Sequence, residues 1–211
     1  MQRTHYLLLA LALLGARAEA DNYVSGNIGF MSDYFFRGIE QSSSTANGGI
    51  DWENSGFYAG TWLADVDDGI EYDLYAGYSG SFGEFGYTIG YTGYFYSDSF
   101  DDTYNEGNLL LSWRFIDLEY SRGRWDGFGD EQDYNFFAAQ VGWEGLYLKY
   151  GSFSDDFDGS YWQGGYERTV GDFDTALYLV YQDDDLGPDS NEMNLVFEIS
   201  YGFDIFGGGG D

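Results

Sequence analysis

The chain has 211 residues, with 32 Gly, 21 Tyr, 18 Phe, 1 Pro, no Cys and a formal net charge of −29. That balance excludes a nucleic-acid partner, because phosphates are held by clustered Lys and Arg. It also excludes disulfide frameworks and cysteine nucleophiles, and the one histidine, His5, lies too close to the start to serve a triad or a zinc site in the body of the chain.

Residues 1–20 read as a secretory signal. Arg3 supplies the positive start, Tyr6–Leu14 the apolar core, and Ala18-Glu19-Ala20 a cleavage site, with Ala16-Arg17-Ala18 an equally good match. The apolar stretch is too short to span a bilayer as a helix. The next unit is residues 21–206, and Gly207–Asp211 is a glycine-rich tail in which four glycines are too costly to order to form a strand.

After the signal the chain alternates at period two, which is the strand signal. The runs fall at 24–40, 46–53, 57–66, 70–80, 85–96, 105–115, 116–124, 134–144, 146–154, 160–168, 173–182 and 192–204. In "GYTIGYTGYFY", Tyr87, Ile89, Tyr91 and Phe95 take one face, while glycine and threonine take the other and line a lumen without filling it. The connections are of two kinds. Asn54-Ser55-Gly56, Gly80–Glu84, Phe115-Ile116, Glu144-Gly145 and Val170-Gly171-Asp172 are tight, whereas "QSSSTA", "DVDDG", "SDSFDDTYNE", "RWDGFGDEQD", "SDDFDG" and "QDDDLGPDS" are acidic and mostly longer. Short turns at one end and longer loops at the other are the pattern of an outer-membrane barrel.

A soluble β-sandwich also alternates, but three features favour a membrane. Most runs reach the roughly 9–11 residues a tilted strand needs to cross a bilayer. The apolar face is banded, with Ile28, Ile50, Leu74, Leu111, Val141 and Leu177 towards mid-strand and aromatics such as Trp52, Trp113, Trp143 and Trp162 near the ends. The opposite face carries charge, and a basic side chain facing lipid at mid-depth would cost about 2–4 kcal/mol. The expected fold is therefore all-β, an antiparallel up-and-down transmembrane barrel of the outer membrane with about twelve strands.

Parity places Asp33, Arg37, Glu71, Asp73, Glu106, Arg114, Asp117, Glu119, Lys149, Glu167 and Glu198 on the lumen face. Acids outnumber bases there, so an open lumen would favour cations or neutral solutes. The same residues can instead form an internal ion-pair network, since a twelve-stranded barrel lies between the filled eight and the open sixteen. Glu71 and Asp73 share a face two residues apart, but charge lining a pore explains them better than acid–base catalysis, and neither an enzyme nor a cofactor is expected. Asp155, Asp156 and Asp158, with Asp183, Asp184, Asp185 and Asp189, offer oxygen ligands for Ca²⁺. No EF-hand pattern accompanies them, and a solvated repulsive surface explains them as well.

The blocks "SDYFFRGIEQSSS", "GFYAGTWLADV" and "IEYDLYAGYSG", in this order, resemble the TorF-like porin family, otherwise a conserved bacterial family of unknown function. The motifs cover about the first half of the mature chain. The resemblance implies an outer-membrane location and a channel role, with no catalytic residues. The chain departs from such barrels at its end, where Phe206 is followed by "GGGGD" instead of closing on the aromatic. The expected function is passive diffusion of small hydrophilic solutes with a weak cation preference. The expected partners are those solutes, outer-membrane lipid and lipopolysaccharide, and the barrel-assembly machinery. The alternatives are a closed structural or adhesive barrel that works through its acidic loops, and a secreted soluble β-protein.

Overall fold

A chain with one proline, 21 Tyr and 18 Phe favours extended backbone, and its apolar alternation must find an environment for one whole face. The computed structural model describes residues 22–183, 185–186 and 192–207. Residues 1–20, which read as a signal, and the last four tail residues lie outside that range.

The described residues form twelve strands: β1 (Tyr23–Phe36), β2 (Ile39–Asn54), β3 (Phe57–Val66), β4 (Gly69–Phe82), β5 (Phe85–Tyr96), β6 (Tyr104–Trp113), β7 (Ile116–Trp125), β8 (Gln132–Trp143), β9 (Leu146–Asp155), β10 (Ser160–Val170), β11 (Phe173–Gln182) and β12 (Met193–Phe206). Each pairs antiparallel with its chain neighbours, and β1 also pairs with β12, closing the sheet into a barrel. The closing seam runs from Val24↔Phe206 to Met31↔Glu198. Closure leaves no free edge strand in the wall, so the acidic surface is not needed to block edge pairing there.

Five two-residue turns lie at the end of the barrel where β1 begins and β12 ends. This turn end carries Ser55-Gly56, Gly83-Glu84, Arg114-Phe115, Glu144-Gly145 and Gly171-Asp172. Ser55 and Gly56, like Glu144 and Gly145, have positive φ at both central positions, which is the turn whose twist matches a hairpin. The opposite, loop end carries the connections 67–68, 97–103, 126–131, 156–159 and 183–192. Exposed residues on the outer wall include Ile28, Ile50, Leu74, Ile89, Leu177 and Leu195, all more than half exposed. The expected faces of β5 are observed, with Ile89 and Tyr91 outward and Thr88 and Thr92 buried inside.

One connection differs from the expectation. The run "QSSSTA" is not a loop but part of β2, and the first connection at the loop end is the two-residue turn Arg37-Gly38. Small polar residues resemble a loop in sequence, yet here their backbone finds a ladder partner in β1.

Candidate functional site

The first hairpin does not stay in the wall. β1 pairs with β12 only as far as Met31, and β2 meets β3 only from Asn47 onward. Residues between these points have ladder partners only in the other arm of the hairpin, such as Asp33↔Ser43 and Phe36↔Ile39. The ladder slips between Tyr34 and Phe35, and Ser44 has a φ of 60°. Such irregularities bend a strand, and here the bend carries the hairpin tip into the lumen.

Its tip is held by charge. Arg37 donates to Glu106 through Nη1 at 2.7 Å and Nη2 at 2.8 Å, to Glu119 Oε1 at 2.8 Å and to Ser121 Oγ at 3.0 Å. Its guanidinium carbon sits 4.2 Å from the centre of the Phe136 ring. Glu106 also accepts from Tyr94 at 2.7 Å, Tyr134 at 2.9 Å and the Asn108 amide at 2.6 Å. Lys149 lies 3.7 Å from Glu119, so two cations face two carboxylates and the cluster is neutral. A buried pair of this quality offsets its own desolvation only because further donors satisfy the remaining lone pairs. Gly38 completes the turn with a φ of 84°, and a Cβ there would meet the Tyr161 ring at 2.6 Å.

Apolar side chains fill the space on both sides of the tip. Met31 and Tyr34 pack with Trp62, Ala64 and Val66, and the Tyr34 and Trp62 rings meet edge-on at 5.5 Å. Phe35 joins a second cluster with Tyr134, Phe136, Phe153, Tyr161 and Tyr178. From the loops, Leu186 is buried in that cluster, and Phe157 stacks on Tyr134 at 5.0 Å. The hairpin thus occupies room that a twelve-stranded barrel would otherwise leave open.

Glycines on the lumen face are not empty space, contrary to the expectation for β5. A Cβ on Gly90 would collide with the Tyr58 hydroxyl, one on Gly123 with Tyr134, and one on Gly151 with Tyr161. Each glycine leaves a slot for a tyrosine from one or two strands away, an aromatic cover for an unprotected backbone.

The structure places most of these charged residues inside the barrel. Glu71, Asp73, Glu106, Glu167 and Glu198 are buried inside, while Asp33, Asp117, Glu119 and Lys149 are half-buried. Arg37 reaches the lumen from a turn and not from mid-strand. Arg114 does not reach it. It occupies the turn after β6 with a φ of 58°, is half exposed, and pairs with Glu84 at 2.9 Å. The ladder ends at Trp113, and parity has no meaning past a strand end. The latch partners Tyr94, Asn108, Ser121, Tyr134 and Phe136 were not singled out from the sequence, though all lie at lumen parity.

The acidic loop residues have local partners. Asp155 lies 3.6 Å from Arg122, Asp156 accepts from the Asp133 N–H at 3.0 Å, and Asp158 accepts from the Gly159 N–H at 2.8 Å. Asp183 accepts from the Ser160 hydroxyl at 2.7 Å and from the Asp185 N–H at 3.3 Å. Slight burial pushes its carboxyl up, but these hydrogen bonds outweigh that and hold it below the usual range. Asp184 and Asp189 lie outside the described residues. Among the described residues, no group of three or more acidic side chains is gathered closely enough to hold a metal ion.

The family model described as "Bacterial protein of unknown function (Gcw_chp)" matches residues 15–152, more than half of the chain. The chain belongs to this family. Within the matched span lie β1 to β8 and most of β9, including Arg37, Glu106 and Glu119, so the latch is confined to the part shared with Gcw_chp. A search of curated proteins found no match. Among solved structures, one reported in work on the in-meso crystallization of membrane proteins aligns with a TM-score of 0.58 at 9% identity, covering 86% of this chain and 83% of that one. OccK2 of Pseudomonas aeruginosa aligns with a TM-score of 0.41 at 14% identity, covering 91% of this chain and 69% of its own. The BenF-like porin of Pseudomonas fluorescens Pf-5 aligns with a TM-score of 0.41 at 14% identity over 83% of this chain, which spans 59% of that porin's length.

Proposed function

We propose that the protein is an outer-membrane barrel that passes small hydrophilic solutes by diffusion, favours cations, and is shut in this conformation by its own first hairpin. The role is passive and not enzymatic. The observation that carries this reading is the wall below the latch. Towards the turn end the lumen is lined by Asn27, Asp51, Ser79, Ser112, Asp117 and Ser200, all partly exposed. A barrel built only for rigidity has no need of a wet, acidic lining there. The apolar outer wall supports the membrane location, as does the shared fold with a protein from a membrane-protein study. The resemblance to TorF-like porins supports the channel role.

A second reading, a closed structural barrel, is favoured by the apolar packing of Met31, Tyr34 and Phe35. Conductance in planar bilayers separates the two. The channel reading expects brief openings from the wild type and sustained conductance when residues 32–44 are replaced by an Asn-Gly turn, which suits a two-residue hairpin. A shortened variant that inserts and stays silent would establish the structural barrel instead.

A further inference from the structure

We propose that Glu71 and Asp73 form a binding site for one hard divalent cation, Ca²⁺ or Mg²⁺, set in the barrel wall beside the inward hairpin. The assignment goes beyond the channel reading and does not depend on it. Both residues lie on the inward face of β4, two positions apart, at 1% and 2% exposure. Their carboxyl groups are within hydrogen-bonding reach of each other. Glu71 Oε1 accepts from the Tyr34 hydroxyl at 3.0 Å. Glu71 Oε2 and Asp73 Oδ1 are buried and have no hydrogen-bond partner.

Neither carboxylate has a basic neighbour. The two lumen cations, Arg37 and Lys149, are engaged by Glu106 and Glu119. With that cluster neutral, the two buried carboxyl groups face each other with no cation between them, an arrangement in which an ion of charge two would take the place of a shared proton. Buried charge without a partner is among the costliest features a fold can carry. The donors are all oxygen, and the mature chain offers no His or Cys to attract a softer metal. Two carboxylates suffice because Mg²⁺ keeps several of its waters, and Ca²⁺ accepts water into a flexible shell.

The site is close to the loop end. Glu71 pairs with Tyr96, the last residue of β5, and the Ser97 N–H donates to the Ile70 carbonyl at 2.9 Å. An ion therefore arrives from the loop side, and through Glu71 and Tyr34 it ties β4 to the hairpin.

The test is calorimetric titration of the full folded chain in detergent with CaCl₂ and MgCl₂, at salt high enough to screen diffuse attraction to the loop carboxylates. Wild type is expected to show one saturable site and a higher unfolding temperature with the ion present. Glu71→Gln and Asp73→Asn keep size and remove charge, and each should weaken the site by roughly tenfold or more, since even indirect partners of a metal contribute that much. Asp155→Asn, at the loop end of β9, should leave the site unchanged. Absence of a saturable site in the wild type, or equal uptake by the wild type and both amide variants, overturns the assignment and leaves a carboxyl pair sharing a proton. Bilayer conductance is a separate measurement, so failure here does not decide the channel reading.

Discussion

Arg37 and Glu106, 69 residues apart in sequence, meet through two parallel charged hydrogen bonds inside the barrel. Arg37 also reaches Glu119, the fourth residue of β7 from the turn end. The tip of a loop-end hairpin is thus fixed deep in the lumen, and the one side chain that fixes it belongs to a two-residue turn. A planar fork is needed because three acceptors on two strands must be met at once.

Arg37→Ala should be strongly destabilising. It leaves Glu106 buried and Glu119 with Lys149 alone, and breaking one side of a buried pair costs about 3–5 kcal/mol. Denaturant unfolding followed by heat-modifiable gel mobility measures this. Arg37→Lys should recover little, because an ammonium cannot reproduce the paired geometry. A cost below ~1 kcal/mol, the range of an exposed pair, would mean that the apolar clusters hold the hairpin without the latch.

The slots for tyrosine predict a specific coupling. Gly90→Ala places a methyl against the Tyr58 hydroxyl and should cost roughly 1–3 kcal/mol through overpacking. In a Tyr58→Leu background the same change should cost clearly less, because the colliding atom is gone. A double-mutant cycle on unfolding free energy reads the difference. Additive effects would mean that Gly90 is required by the backbone and not by the ring.

Strand number, faces and turns were legible because period two is local information. Ile89 and Tyr91 point outward and Glu71 and Asp73 inward, as alternation requires. The inward hairpin was not legible, because it depends on where two ladders end, and that is settled by partners far along the chain. One signal was present. Arg37-Gly38 has the same Xaa-Gly form as Ser55-Gly56 and Glu144-Gly145, and all three adopt positive φ at both positions. Arg114 misled for a related reason, since the strand it seemed to extend stops at Trp113.

Labelling should report the orientation of the barrel. Gly129 has open space where a Cβ would go, and Asp172 is an exposed turn residue with an ordinary backbone φ, so Gly129→Cys and Asp172→Cys should fold normally in a chain that has no other cysteine. A membrane-impermeant maleimide applied to intact cells should reach the first, in a long loop, and miss the second, in a tight turn. Labelling of Asp172→Cys alone would mean that the turn end faces outward.

The last prediction concerns selectivity once the plug is removed. In the variant with residues 32–44 replaced by a turn, Arg37 is gone and Lys149 is left with Glu119 as its partner. Glu106, Asp117, Glu167 and Glu198 then dominate the lumen face, and a low-dielectric wall focuses their field along the pore. The variant should therefore conduct cations in preference to anions, measured as a reversal potential across a KCl gradient. The preference should fade at high salt, since screening shortens to ~3 Å at 1 M. Adding Glu198→Gln should move the reversal potential towards zero while conductance persists, because the amide keeps the size of the side chain and removes only its charge. An anion-selective pore would mean that the lumen carboxylates are neutralised, and the acidic lining would then have to be assigned to binding and not to permeation.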